Sequence, residues 1–112
     1  MNQHSLTISA LIKTAHKAAA LKGFWDTKPN IGEKIALIHS ELSEALEEVR
    51  AGHAPNETYF VDGKPEGLPV ELADVVIRVA DLCGHFDIDL DRAIVEKLTY
   101  NENRPAKHGK QF

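Results

Sequence analysis

A chain of 112 residues with 43% hydrophobic content has the size and composition of one soluble globular domain, residues 1–112. Its formal net charge of −4 excludes a general nucleic-acid-binding surface, which needs a basic face, but not a nucleotide whose charge is met by metal. The lone Cys83 excludes an internal disulfide, and its apolar neighbours suggest a buried thiol; no run reaches the ~18 apolar residues of a membrane span. Lys13, His16 and Lys17 interrupt what would be the core of a secretory signal, so a cytoplasmic location is expected. A chain this short buries only about 60–70% of its unfolded surface, which makes oligomerisation an expectation from the outset.

In chain order, Ile8, Leu11, Ile12, Ala15, Ala18 and Ala19 recur at helical spacing and predict a first helix from about Ser5 to Leu21, ended by Gly23. Asn30 is the expected N-cap of a second helix, Ile31 to Arg50, with Glu33 three residues on. Along that helix Ile31, Ile35, Ile38, Leu42, Ala45 and Val49 form the expected core stripe, and Glu41, Glu44 and Glu48 form a neighbouring one. Residues 51–68 are irregular, and Asp62-Gly63 is placed to turn a short hairpin between Tyr59-Phe60-Val61 and Lys64. So long a loop in a small domain reads either as a lid or oligomer contact or as a plain connector.

The third helix is expected from about Pro69 to Phe86. Apolar residues occupy most of its circumference, which reads as a buried helix, while Glu71, Asp74, Arg78, Asp81 and His85 share one narrow sector. Buried charges are costly unless paired or metal-bound, so this strip predicts a polar cleft inside the protein. A fourth helix should start at an Asp89 cap and run to about Asn103, with Lys97, Asn101 and Arg104 along one face. Four such helices make an all-α, four-helix bundle-like fold, completed by a second subunit.

The chemistry gathers on two acid pairs, Glu41 with Glu44 and Glu71 with Asp74, each at the i, i+3 spacing that puts both carboxylates on one helix face. Glu41, Glu44, Glu47 and Glu48 by themselves equally describe a solvated acidic face; Glu71 and Asp74 do not, because their helix has almost no face left for water. An all-oxygen ligand set, with no His three residues after any Glu, points to Mg²⁺ or Mn²⁺ and away from zinc and from di-iron bundles. Lys97, Asn101 and Arg104 then read as a phosphate-binding strip, or else as cations that merely favour a helix C-terminus.

Glu41-x-x-Glu44 followed, after residues 45–70, by Glu71-x-x-Asp74 resembles the signature of the all-α nucleoside triphosphate pyrophosphatases, a superfamily that includes MazG proteins. The flanks Leu37-Ile38-His39-Ser40 and Glu66-Gly67-Leu68-Pro69-Val70, and the end from Lys97 to Lys110, are similar to small MazG-like proteins in particular. The resemblance implies hydrolysis of a nucleoside triphosphate to monophosphate and diphosphate, clearing surplus or non-standard members from the nucleotide pool. The four acids would hold Mg²⁺, Glu41 or Glu44 would take the proton from the attacking water, and Arg78, Asp81 and His85 would support the ligands. It also implies base contacts from His16 and Trp25, although the Trp25 turn equally describes a core or interface anchor. Active sites would be completed between subunits of a homodimer or homotetramer. Phosphoribosyl-ATP pyrophosphohydrolase and a non-catalytic helical binding module are the alternatives.

Overall fold

The computed structural model describes residues 6–105. Within them the order is α1 (Ile8–Leu21), α2 (Ile31–Arg50), β1 (Tyr59–Val61), β2 (Lys64–Glu66), α3 (Leu68–His85) and α4 (Leu90–Glu102). The described chain is mostly helical, consistent with the all-α class, and adds one small two-stranded ribbon. Of the end compared with MazG-like proteins, residues 106–110 lie outside the described residues.

Side chains decide where the helices begin. The Thr7 hydroxyl accepts the Ala10 N–H at 3.0 Å, so α1 starts at Ile8 rather than near Ser5. Asn30 and Asp89 cap α2 and α4 as expected, accepting the N–H groups of Glu33 and Arg92 at 3.1 Å each. The ribbon turns at Asp62 (φ 53°) and Gly63 (φ 82°), the two positive-φ positions of a tight hairpin, and pairs Tyr59 with Glu66 and Val61 with Lys64. Gly67 (φ 121°) then bends the chain directly into α3, with the Glu57 carbonyl lying where a Cβ would project.

Helix α3 is the centre. Helices α1 and α2 pack on it, β2 touches it, and α4 leans lightly on α1. The buried apolar residues are small: Ala15, Ala19, Ala45, Ala80 and Cys83, and among the described residues no large side chain is fully buried.

Two expectations about burial are corrected. In α2 only Ala45 of the predicted stripe is buried, with Ile38 half-buried; Ile31, Ile35, Leu42 and Val49 are exposed. The residues turned inward are Lys34, Ile38, Glu41, Ala45 and Glu48, the 4-3-4-3 spacing of a single helix face. In α3 the polar strip is the inward side, and Leu72, Val76 and Ile77 are exposed. Both changes have one cause: α2 packs on the polar strip of α3, so the acids come together and apolar faces are left outside. The Cα radius of gyration is 16.4 Å, against roughly 13 Å expected for a compact chain of this length.

Replacing Gly67 by Ala should destabilise the fold by about 1–3 kcal/mol, through positive-φ strain and the clash with the Glu57 carbonyl. A lowered urea midpoint with unchanged slope is the expected result.

Candidate functional site

The site is built where the inward faces of α2 and α3 meet. Oxygens of Glu41, Glu44 and Glu71 lie within 4.8 Å of one another. Glu71 is 7% exposed, and its Oε2 has no hydrogen-bond partner among the described residues. Asp74, one turn further along α3, stands outside that group but close enough to feel the charge of Glu41. The two predicted pairs are thus brought together, three acids tightly and the fourth beside them.

Crowding like charges in a dry place has the expected effect. Burial, then the charges of Glu44 and Asp74, a hydrogen bond with Glu44 and the charge of Glu41 push the Glu71 carboxyl up to about 7. Asp74 is also raised, by burial and by Glu41, against the opposing pull of Arg78 and Lys64. Glu41 is the acid with a firm partner, since Arg78 Nε donates to its Oε1 at 2.7 Å. The group as a whole carries more negative charge than its neighbours neutralise.

Further along the same strip, Asp81 Oδ1 accepts from Trp25 Nε1 at 2.8 Å and lies 2.9 Å from His16 Nδ1. Trp25 stacks on His85 at 3.7 Å with planes 5° apart, and Lys34 Nζ sits 4.3 Å from the Trp25 ring centroid. Asp81 and His85, predicted to be supporting residues, therefore hold His16 and Trp25 in place. With His85 and Lys34 against its ring, Trp25 has little free face to offer a base. Phe24, next to it, is 55% exposed.

Two cavities lie along this strip. One cavity of about 300 Å³ is lined by Glu41, Asp74, Arg78 and the α1 alanines Ala15, Ala18 and Ala19, whose short side chains leave it open. A second, of about 220 Å³, is lined by Phe24, Trp25, Lys34, Leu37 and Leu82. Phe24, Arg78 and Asp81 line both. A larger hollow of about 720 Å³, between α1 and the start of α4, includes His16 but none of the acid pairs.

The predicted phosphate strip is elsewhere. Lys97, on α4, and Arg104, just past its end, lie against the Tyr100 ring at 5.0 and 5.3 Å, and α4 packs on α1 rather than on the acid helices. Among the described residues neither pairs with an acid, and Asn101 Oδ1 is buried without a partner.

Sequence reasoning missed Glu66 and undervalued Glu48. Glu48 lies seven residues after Glu41, two turns on along the same face, and was legible as such. Glu66 sits on β2, where no periodicity announces it. Lys64, 3.3 Å from Glu66, was missed likewise.

A hard divalent cation fits this donor set. Every donor is a carboxylate oxygen, one of them is buried and unpartnered, and no Cys or His stands in the group. Glu41, Glu44 and Glu71, with Asp74 adjacent, would hold it.

A pH dependence follows. Glu71 has a folded pKa of about 7 against 4.5 unfolded, so its contribution to stability is whole below pH 4.5 and is lost as pH rises towards 7. In EDTA, thermal stability should therefore fall across that window by up to about 3 kcal/mol, and Glu71→Gln should flatten the fall.

No family model matches the chain, and no curated protein or solved structure matches it at a significant level.

Proposed function

We propose that the chain is a Mg²⁺-dependent nucleoside triphosphate pyrophosphohydrolase, cleaving (d)NTP and water to (d)NMP and diphosphate. The observation that carries this reading is the buried Glu71 oxygen, unpartnered among the described residues and grouped with Glu41 and Glu44, beside a cavity lined by Glu41 and Asp74 that shares Phe24, Arg78 and Asp81 with an aromatic one. That arrangement suits a ligand with a metal-bound polyanion at one end and a flat ring at the other.

Bound Mg²⁺ would neutralise phosphate charge and make a water more acidic. The chain's own residues divide the remaining work. Glu41 is fixed by Arg78, whereas Glu44 is exposed and has no ion-pair partner among the described residues, so Glu44 is the better-placed proton acceptor for the attacking water. That water adds to the α-phosphorus, the bond to the bridging oxygen breaks, and diphosphate departs with the electron pair. Phe24 and the edge of Trp25 would wall the base, and Asp81 would hold Trp25 and His16 still while it binds.

The reading includes a second copy of the chain. The exposed apolar residues of α2 and α3, with Val95, Leu98 and Tyr100 on α4, support it, since such surface suits an interface between copies. Lys97, Asn101 and Arg104, remote from the acids of their own chain, would serve the site across that interface.

Two measurements test this. Diphosphate release from a panel of canonical and modified dNTPs and NTPs should require Mg²⁺, vanish in EDTA and fall at least ~100-fold in Glu44→Gln. Phosphoribosyl-ATP belongs in the same panel. Release from no substrate by a folded, metal-binding protein would reject the enzyme in favour of a binding module. Sedimentation equilibrium should give at least twice the 12.4 kDa of one chain.

A further inference from the structure

Glu71 is a corner of two acid groups. Besides Glu41 and Glu44, its carboxylate lies within 4.8 Å of oxygens of Glu48 and Glu66. We propose that Glu48, Glu66 and Glu71 form a second divalent-cation position, adjacent to the first and bridged to it by Glu71, which ties the β-hairpin to α2 and α3.

Acids alone would not establish a site, but three further observations point to a ligand here. Glu71 is more than nine-tenths buried and keeps one oxygen without a partner among the described residues, so the corner shared by both groups offers an unsatisfied buried acceptor. A carboxylate with two oxygens and about four lone-pair sites can serve two cations at once.

Glu48 is also braced as a metal ligand should be. The Tyr59 hydroxyl lies 3.1 and 2.9 Å from its two oxygens, and His53 Nε2 lies 3.9 Å away. Tyr59 and His53 are themselves stacked, 4.5 Å between ring centroids. These contacts fix the Glu48 carboxylate and leave it lone pairs to spare, the arrangement that orients ligating carboxylates.

The counter-charge is poor as well. Glu66, 20% exposed, has Lys64 at 3.3 Å, and the Lys64 side chain is 77% exposed. Among the described residues, one solvated ammonium and the His53 ring are weak compensation for three gathered carboxylates, and a hard cation with oxygen ligands is the natural replacement.

The geometry has a consequence for order. Glu66 faces Tyr59 across the ribbon, and Tyr59 holds Glu48, so a cation here would join both strands to the two acid helices. The 51–68 stretch would then be fastened by metal, whatever reaction the cleft performs. The inference rests on Glu71 being a metal ligand, as proposed above, and not on hydrolysis.

Mn²⁺ titration followed by electron paramagnetic resonance tests it, using the full chain at pH 7.5. Wild type should bind two Mn²⁺ per chain, with the exchange broadening of two close ions at full loading. Glu66→Gln, an isosteric change on the hairpin, should bind one and lose the broadening, and Glu41→Gln should retain the Glu48–Glu66 ion. Circular dichroism confirms that each variant is folded. A wild-type stoichiometry of one, lost in Glu41→Gln and untouched by Glu66→Gln, would overturn the second position and leave the first standing. Two ions bound by Glu66→Gln would overturn it equally, and no binding to wild type would remove both positions.

Discussion

The burial of the Glu71 carboxylate is the constraint on which the rest of this structure turns. A charge withdrawn from water costs several kcal/mol unless something answers it, and here the nearest groups are further acids. In the metal-free chain the answer is a proton, held up to about pH 7 by burial and by Glu44, Asp74 and Glu41. A divalent cation would be a fuller answer, because it serves several carboxylates together. Folding that opposes itself at one residue is a familiar mark of a site, where stability is given up for a ligand still to come.

That constraint propagates along α3. Its inward strip, from Glu71 through Asp74, Arg78 and Asp81 to His85, extends over about 21 Å of helix. Each charge meets a different neighbour: Glu71 meets acids, Arg78 meets Glu41, Asp81 meets His16 and Trp25, and His85 meets the Trp25 ring. A strip so occupied cannot also be the seam of a large apolar core. The buried contacts with α1 and α2 are accordingly made by Ala15, Ala19, Ala45, Ala80 and Cys83, and the bulky apolar residues go outward. The polar cleft and the thin core are two sides of one packing choice.

Most of the local structure was legible in the sequence, because it is set by neighbours a few residues away. Asn30 and Asp89 announce helix starts, Asp62-Gly63 announces a hairpin, and the i, i+3 acids announce shared faces. What was misread depends on which element meets which. The apolar stripe of α2 was taken for its buried side, yet Glu41 and Glu48 lie further in than Leu42 and Val49. Hydrophobic periodicity identifies an apolar face; it does not say whether the same chain has surface enough to cover it. Glu66 was invisible for another reason: its place among the acids comes from Gly67, which bends the hairpin against α3. Beside Trp25, which has His85 and Lys34 against its ring, Phe24 is the more exposed aromatic, and no periodicity marks it.

Charge balance carries the argument one step further. Four acids of the cleft are opposed within the chain by Arg78 and the exposed Lys64, and a triphosphate would bring more negative charge to the same place. Metal can meet part of that excess, but a polyanion also needs donors along its length. The chain has cationic groups in Lys97 on α4 and Arg104 just beyond its end, with a buried Asn101 oxygen between them that has no partner among the described residues. Helix α4 keeps its apolar residues uncovered, as do α2 and α3. On the function proposed above, Lys97 and Arg104 would be anion ligands apart from their metal, and one arrangement would serve them and the uncovered apolar faces alike, with α4 of one copy closing over the cleft of another. On that arrangement the same contact that completes the fold also completes the phosphate site, and a solitary chain would lack both.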